Sequence, residues 1–484
     1  MKRLTEQIKT LTIAILVFSM LFLWGKNMQL RFPAVNQVAE GRPVLDSDFW
    51  IFTDSTTPHT DITVDKNYLS PTAITLITNG VARTSATNST LTSRLWNGID
   101  KLALEVFSSA YECKSSTLDE WSTVLLKSDF ILVDFSSSLP YMTLCALENK
   151  TTEFASGELC SVKTLALYPD ENNVLSALSI DSEQNVYAFR PIKEASAMIY
   201  DFNSNNLTAY TVNKGFIPST LAINTSFEAL PMHHAVMTSA PTLKAITVSN
   251  PISSLFYEAS YTDGMSNSSL ISHPTVTRLL DIFEINPATV GVYTDASARL
   301  VFINSDTRIV IDPAGSVEYA ISRDGTPQIL TSSLLESDRS QFSSFEQVNA
   351  ATHFLNLLKG VFIGEKTELM LDRVSHANEK TEYVFSYFNQ LCRISCTQSD
   401  ASVRLVFDDI GLVEASFTPL TVVSTKESVD DRHSVVASIS ESVAIILSSI
   451  NKAGLPIDDF RPVYICETYD TPTVPVWATI TERT

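Results

Sequence analysis

Glycine is scarce in this sequence, and the motifs that depend on it are missing. Only 14 of the 484 residues are glycine, and the chain contains no G-x-G-x-x-G, G-x-x-x-x-G-K-[ST] or G-x-S-x-G. It also lacks H-E-x-x-H. These absences argue against phosphate-binding loops and against a recognisable catalytic pair of nucleophile and base. We therefore expect no catalytic, cofactor-binding or metal-binding residues, and the protein is not expected to be an enzyme.

Cysteine is also sparse for a chain of this length. Six residues are too few for a scaffold built from disulfides. Cys392 and Cys396 lie in an extended run, where four residues span ~13 Å, whereas a disulfide needs ~4.4–6.8 Å between Cα atoms. Zinc-type spacings are missing, so buried thiols are expected, with one or two bridges as the alternative if the chain is exported. The six are Cys113, Cys145, Cys160, Cys392, Cys396 and Cys466.

Basic clusters are missing beyond the first residues of the chain. Lysine and arginine total 34 against 54 aspartates and glutamates, which gives a net charge of −20. Nucleic-acid binding requires a basic surface that neutralises phosphates, so no nucleic-acid partner is expected. Solubility explains the acidic excess most simply, and an acidic face for a cationic ligand is the alternative.

Two kinds of polar cluster remain as candidates for chemistry. His233-His234 would need a bend in the chain and further ligands to hold a metal, so we expect a loop or a partly buried pair. The carboxylate pairs Asp408-Asp409, Asp430-Asp431 and Asp458-Asp459 lie where elements are predicted to end or begin. We expect a hairpin turn, a helix start and the entry to a strand, respectively.

One uncharged hydrophobic run stands out near the start of the chain. With Thr10 and Gly25 it reaches sixteen residues, slightly below the ~17–25 of a spanning helix. A secretory signal peptide is the alternative, but no small-residue cleavage site follows the run. Lys9 and Lys26 can extend toward the headgroups, so residues 10–26 are predicted to stay as a membrane anchor. Its apolar residues are Leu11, Ile13, Ile15, Leu16, Val17, Phe18, Leu21, Phe22, Leu23 and Trp24.

The basic residues at the start set the expected orientation. Lys2, Arg3 and Lys9 favour a cytoplasmic tail over residues 1–9. No second apolar run of spanning length occurs. The sequence therefore predicts a single-pass protein of the cell membrane, with a juxtamembrane connection at 27–61 and an extracellular ectodomain beyond it.

Composition and periodicity predict an α+β fold for the ectodomain. Hydrophobic residues make up 44% of the chain and charged residues 18%, as in globular proteins. The length favours several domains, which we place at 62–215 (α+β), 216–335 (β-rich) and 336–484 (helix plus antiparallel sheet). Helices are expected to pack on one face of antiparallel sheets.

Apolar periodicity and turn residues locate the individual elements. The predicted helices are Leu95–Ala110 with Thr92 or Ser93 as its cap, Leu118–Leu126, Pro274–Phe283, Ser343–Leu358 and His433–Ile450. The predicted strands include Phe130–Phe135 followed by a turn at Ser136–Pro140, Val162–Tyr168, Val186–Arg190, Arg299–Ile303, Arg308–Asp312, Val317–Ser322, Leu369–Val374, Glu382–Phe388, Val403–Phe407, Leu412–Phe417, Val463–Glu467 and Val474–Ile480.

Several short segments scattered over most of the chain are typical of one known family. They are Tyr68-Leu69-Ser70-Pro71, Trp121 with Phe130 to Pro140, Ile282 to Pro287, Tyr293-Thr294-Asp295, Arg299-Leu300-Val301 and Pro475-Val476-Trp477. Together these segments resemble those of YycH-type proteins, which are accessory regulators of the WalK/WalR cell-wall two-component system of Gram-positive bacteria.

The resemblance implies a non-enzymatic regulator at the membrane. Its implied partners are a sensor histidine kinase and a sister accessory protein of the YycI type, and the family supplies no catalytic residues. The competing hypothesis is an extracytoplasmic binding protein for a cell-wall fragment or peptide that acts without a kinase.

Overall fold

A computed structural model describes the chain from residue 66 to residue 480 in eighteen stretches. The described residues are 66–86, 88–107, 111–127, 129–140, 161–172, 174–191, 216–221, 235–237, 242–253, 270–321, 344–359, 361–364, 367–377, 379–397, 401–409, 411–424, 434–435 and 459–480. They belong to one unit, Thr63–Thr484. Within them, no helix has both the length and the apolar character that a membrane span requires. The predicted anchor at 10–26 and connection at 27–61 lie outside the described residues.

A nine-stranded antiparallel sheet occupies the first half of the described chain. The strands are β1 (Ala73–Thr78), β2 (Val81–Thr84), β3 (Tyr111–Ser116), β4 (Phe130–Pro140), β5 (Ser161–Pro169), β6 (Leu175–Ile180), β7 (Val186–Pro191), β8 (Ile217–Leu221) and β9 (Ala235–Met237). Their order in the sheet is β3-β7-β6-β5-β4-β1-β2-β8-β9.

Helices cover both faces of this sheet, not one face as the sequence predicted. Helix α1 (Ser89–Glu105) shares a cluster of buried residues with Ile131 and Val133 of β4. Helix α2 (Leu118–Leu125) shares a second cluster with Phe130 and Leu132, which point to the opposite side. The continuous apolar run of β4 reflects this burial on two sides, since a strand with one solvated face would alternate.

Helix α1 begins earlier than its periodicity suggested. Leu91 is buried together with Leu95, so the apolar stripe extends one turn toward the N-terminus. The side chain of Asn88 accepts a hydrogen bond from the backbone N–H of Leu91 and fills the capping role predicted for Thr92 or Ser93. Thr92 lies inside the helix and hydrogen bonds to Ser85. The prediction of α2 is confirmed, with Thr117 as its cap.

Strand β4 does not turn at Ser136–Pro140. It continues to Pro140, with a register shift against β5 between Asp134 and Leu139. The Ser136 hydroxyl donates to the backbone oxygen of Leu371 on a distant strand, so this serine holds a buried contact and not a turn. Serine-rich composition therefore gave the wrong prediction at this point.

An eleven-stranded sheet follows, with two small sheets beside it. The strands are β10 (Thr242–Leu243), β11 (Ile246–Ser249), β12 (Gly291–Thr294), β13 (Leu300–Ile303), β14 (Thr307–Ile311), β15 (Val317–Ile321), β16 (Glu368–Ala377), β17 (Lys380–Asn389), β18 (Cys392–Cys396), β19 (Ser402–Phe407), β20 (Leu412–Phe417), β21 (Thr421–Ser424), β22 (Ser434–Val435), β23 (Asp459–Cys466), β24 (Pro472–Thr473) and β25 (Pro475–Ile480). The order of the large sheet is β12-β13-β14-β15-β20-β19-β17-β18-β23-β25, and β16 pairs with β17. The small sheets are β10-β22 and β21-β11-β24.

Two helices, α3 (Pro274–Ile282) and α4 (Ser344–Lys359), pack with aromatic residues on one face of this sheet. Phe283, which caps α3, stacks on Tyr319 of β15 with ring centroids 4.4 Å apart. Phe354 of α4 meets Phe283 at 5.5 Å and the edge of Phe417 at 6.3 Å. Both of these helices therefore pack on the same face of the eleven-stranded sheet, as the sequence predicts.

Local pairing in the eleven-stranded sheet follows the prediction, whereas distant pairing departs from it. Strands β13, β14 and β15 form the expected antiparallel meander. One pair, β18 with β23, is parallel, which the prediction of antiparallel sheets did not include. Ser434 and Val435, placed in a predicted helix, form a strand with β10. The rest of that predicted helix, His433 and residues 436–450, lies outside the described residues.

Strand pairing crosses the positions where domain boundaries were predicted. Strands β8 and β9 lie beyond residue 215 but complete the nine-stranded sheet. Strand β15 precedes residue 335 and pairs with β20 in the eleven-stranded sheet. The three-domain division remains a prediction.

The aromatic packing under α4 gives a stability prediction. Phe354→Ala should lower the free energy of unfolding by about 3–5 kcal/mol, because Phe354 is fully buried between Phe283 and Phe417. Urea unfolding followed by tryptophan fluorescence measures this. Leu357→Ala on the exposed side of the same helix is the control and should cost less than about 1 kcal/mol. Equal midpoints for the two variants would contradict the packing.

Candidate functional site

Most of the predicted polar clusters lie outside the described residues, and those inside lie at a turn and at the start of a strand. His233-His234, Asp430-Asp431 and Asp458 belong to the first group, as do all the anchor residues. The Asp408 carboxylate accepts from the backbone N–H of Gly411, which confirms the hairpin turn between β19 and β20. Asp459 opens β23, which confirms the strand entry. Across the described ranges, no group of three or more His, Cys, Asp or Glu could hold a metal ion.

The first distinctive site is the junction between the two large sheets, where the short helix Lys66–Leu69 meets α4 and β17. The Tyr68 side chain is almost fully buried, and its hydroxyl donates to Oδ1 of Asn356 at 2.7 Å. Its ring meets the edge of Phe385 with centroids 6.3 Å apart. The Lys359 ammonium lies 5.7 Å from the centroid of the same ring. One tyrosine thus connects the start of the described chain to a helix and a strand far along the sequence.

Strand β16 forms the other half of the junction. The buried Ser136 hydroxyl of β4 donates a hydrogen bond to the backbone oxygen of Leu371. The backbone oxygen of Ser136 accepts a hydrogen bond from the buried Lys163 ammonium. Glu368, at the start of β16, accepts hydrogen bonds from the backbone N–H of Leu391 and the Ser89 side chain. Burial raises the pKa of Glu368, and these hydrogen bonds with the charge of Lys359 oppose the rise. Polar contacts therefore join the sheets through β16.

The second site is a charged face on the side of the eleven-stranded sheet opposite α3 and α4. Residues directly opposite on neighbouring strands share one face, so Ser375, Glu382 and Glu414 form one row and Arg373 and Arg404 the next. Valines at two intervening positions are buried beneath the long side chains, consistent with arginine stems covering apolar surface.

Opposite charges pair along this charged face. Glu382 accepts from Nε of Arg404, from the Ser375 hydroxyl at 2.8 Å and from Arg373 at 3.3 Å. Arg404 also lies 3.3 Å from Glu414, which in turn pairs with Lys380 at 3.3 Å. Burial alone would raise the pKa of Glu382, but the hydrogen bonds and positive charges of its partners outweigh it and lower the pKa. The face therefore presents an ordered array of both signs.

The sequence analysis missed the charged face, although a signal was present. Lys380 and Glu382 alternate with Thr381 and Tyr383, and the latter two are buried. Such alternation is typical of a sheet with one solvated face. These charges meet because of the register between strands that are distant in the sequence. The residue pattern of a single strand does not reveal that register.

The described residues thus form an α+β protein whose distinctive features are a junction and a charged surface. Comparison with known protein families finds no match, and neither does comparison with curated proteins. Among solved structures, the chain is similar to the crystal structure of YycH from Bacillus subtilis, with a TM-score of 0.49, 11% identity, and coverage of 86% of this chain and 95% of that one.

A second solved structure also resembles the chain. It is an uncharacterized protein from Eubacterium rectale, with a TM-score of 0.27, 13% identity, and coverage of 50% of this chain and 77% of that one. Both TM-scores lie below 0.5, so these similarities establish neither a family nor a function.

The charged face gives a pH-dependent prediction. Glu382→Gln should lower the free energy of unfolding at neutral pH by about 1–3 kcal/mol, because charge-assisted hydrogen bonds from Arg404 and Arg373 are lost. The folded-state pKa lies below the ordinary 4.5. The stabilisation is therefore complete above the unfolded-state value and disappears as pH falls through the folded-state value.

Urea unfolding of both proteins across the acidic range measures this difference. Glu112→Gln is the matched control, because Glu112 pairs with Lys114 on an exposed strand and should change stability by less than about 0.5 kcal/mol. A difference between wild type and Glu382→Gln that persists unchanged below the folded-state pKa would refute the role given to the carboxylate.

Proposed function

We propose that this chain is a membrane-anchored extracytoplasmic accessory protein that regulates a sensor histidine kinase of cell-wall homeostasis through protein–protein contacts. Residues 10–26 form the anchor, residues 1–9 lie in the cytoplasm, and the body described above lies outside the cell. The kinase and a sister accessory protein of the YycI type are its partners. No reaction is catalysed and no cofactor is held.

The observation that carries this proposal is the position of the segments that resemble YycH-type proteins. Two of them, Tyr68 to Pro71 and Phe130 to Pro140, supply Tyr68 and Ser136 to the junction between the sheets. A third contains Phe283, at the centre of the aromatic packing under α4. Because such residues determine how elements pack, shared segments at these positions support a shared architecture.

The charged face supports a role in protein contacts. Interfaces between proteins gain specificity from complementary arrays of charge, whereas a pocket for a small molecule needs an apolar cavity with a few polar groups. The ordered charges on β16, β17, β19 and β20 provide a charge array of the sort found at protein interfaces. We propose this face as a contact surface of the extracytoplasmic body.

An anchor replacement tests the proposal. Residues 10–26 are exchanged for an unrelated single membrane helix, and the output of the kinase is followed through a gene that it controls. Because the anchor would contact the transmembrane helices of the kinase, the exchange should change the output to that of a strain lacking the protein. Affinity capture of the tagged full-length chain from solubilised membranes should recover the kinase, and capture of the exchanged variant should recover less.

Two outcomes would contradict this account. Unchanged kinase output with the foreign anchor would exclude contact through the helix. Recovery of no membrane partner, together with a thermal shift of the purified protein on addition of cell-wall peptides, would favour the binding-protein hypothesis. A variant with conservative exchanges inside the anchor, such as Leu16→Ile and Leu21→Ile, is the matched control and should behave as wild type.

A further inference from the structure

The parallel pairing of β18 with β23 places two cysteines of the described chain directly opposite each other. Cys396, the last residue of β18, stands opposite Cys466, the last residue of β23. They are seventy residues apart in sequence. Adjacent strands lie about 4.8 Å apart, which falls within the Cα separation of about 4.4–6.8 Å that a disulfide requires. Both side chains share one face of the sheet, because directly paired residues point to the same side.

The two thiols are in contact. The Cys396 thiol donates a hydrogen bond to the sulfur of Cys466. Cys466 in turn donates to the backbone oxygen of Thr468 at 3.3 Å. Cys396 is partly exposed, whereas Cys466 is buried. A reagent from solvent can therefore reach Cys396, and Cys466 is its neighbour on the adjacent strand.

We propose that Cys396 and Cys466 are a disulfide site, oxidised to an intramolecular bond when the chain is exposed to a disulfide-bearing oxidant. The site goes beyond the proposed function, although the extracytoplasmic location in that proposal is what would supply oxidising conditions. Oxidation of the pair can be measured without the kinase. Failure of one proposal therefore leaves the other open to its own test.

The reaction is two successive thiol–disulfide exchanges with an external disulfide. The Cys396 sulfur, after losing its proton, attacks one sulfur of the oxidant, and the first external thiolate leaves and takes up that proton. Cys466 then loses its proton and attacks the Cys396 sulfur in the mixed disulfide. The second external thiolate leaves and is protonated. Two protein thiols are oxidised to one disulfide, and one external disulfide is reduced to two thiols.

The surroundings of the pair slow the reduction of the bond once it is made. Burial raises the pKa of Cys396 to about 12 and also raises the pKa of Cys466. Thiolates are therefore scarce at neutral pH, which slows spontaneous exchange in both directions and makes thiolate leaving groups poor. The bond would behave as a structural disulfide that holds β23, and with it the antiparallel β25, against β18.

Peptide mapping of the full-length protein in detergent micelles tests the proposal. The protein is incubated with excess oxidised glutathione and a catalytic protein disulfide isomerase, so that slow uncatalysed exchange does not limit the reaction. Remaining thiols are alkylated, and the protein is digested without reduction. Mass spectrometry should find a linked pair of peptides containing Cys396 and Cys466. The oxidised protein should also melt about 2–5 °C above the reduced protein, because the bond closes a long loop.

Serine variants define the pairing. Cys396→Ser and Cys466→Ser should each abolish the linked peptides and the rise in melting temperature. Cys113→Ser should retain both, since Cys113 lies on β3 of the other sheet. Wild-type protein provides the comparison even if a variant folds poorly. Alkylation of both Cys396 and Cys466 after full incubation, or linkage of either one to Cys145 or Cys160, would overturn the proposal.

Discussion

A shared apolar core is the constraint on which the described structure depends. Buried residues of α1 and the nine-stranded sheet belong to the same cluster as those of α3, α4 and the eleven-stranded sheet. Tyr68 lies where the two parts meet, and Ser136 and Glu368 add polar contacts beside it. Because each sheet covers apolar surface of the same core, loss of one sheet would expose the other. The two sheets are therefore expected to unfold together.

The sequence predicted elements whose signals are local and missed those that depend on distant pairing. Apolar periodicity located α2 to α4, and the strand at Leu412–Phe417 has the predicted bounds. The parallel partner of β18 lies at Asp459–Cys466, beyond a long stretch of chain, and no local pattern specifies such a partner. Helices on both faces of the nine-stranded sheet could have been inferred from the apolar run at Phe130–Phe135, which has little of the alternation of a one-sided strand. The turn predicted at Ser136 was wrong because the Ser136 hydroxyl makes a tertiary hydrogen bond and not a local one.

The candidate site was less predictable than the fold, for a physical reason. Charges such as Glu382 and Arg404 are unremarkable within their own strands, and they become a site only when register places them side by side. The cysteines behave in the same way. Spacing correctly argued against a bond between Cys392 and Cys396, but the contact between Cys396 and Cys466 required the parallel pairing. The distinctive features of the described residues are surfaces and contacts.

The central claim is that an anchored chain holds this body outside the cell. Protease treatment of intact cells that carry one epitope tag at each end tests it most directly. The account predicts that the full-length chain sediments with membranes, that external protease removes the C-terminal tag, and that the N-terminal tag stays protected. Mature protein released into the medium without residues 1–26, or a C-terminal tag resistant to protease until the cells are lysed, would contradict it.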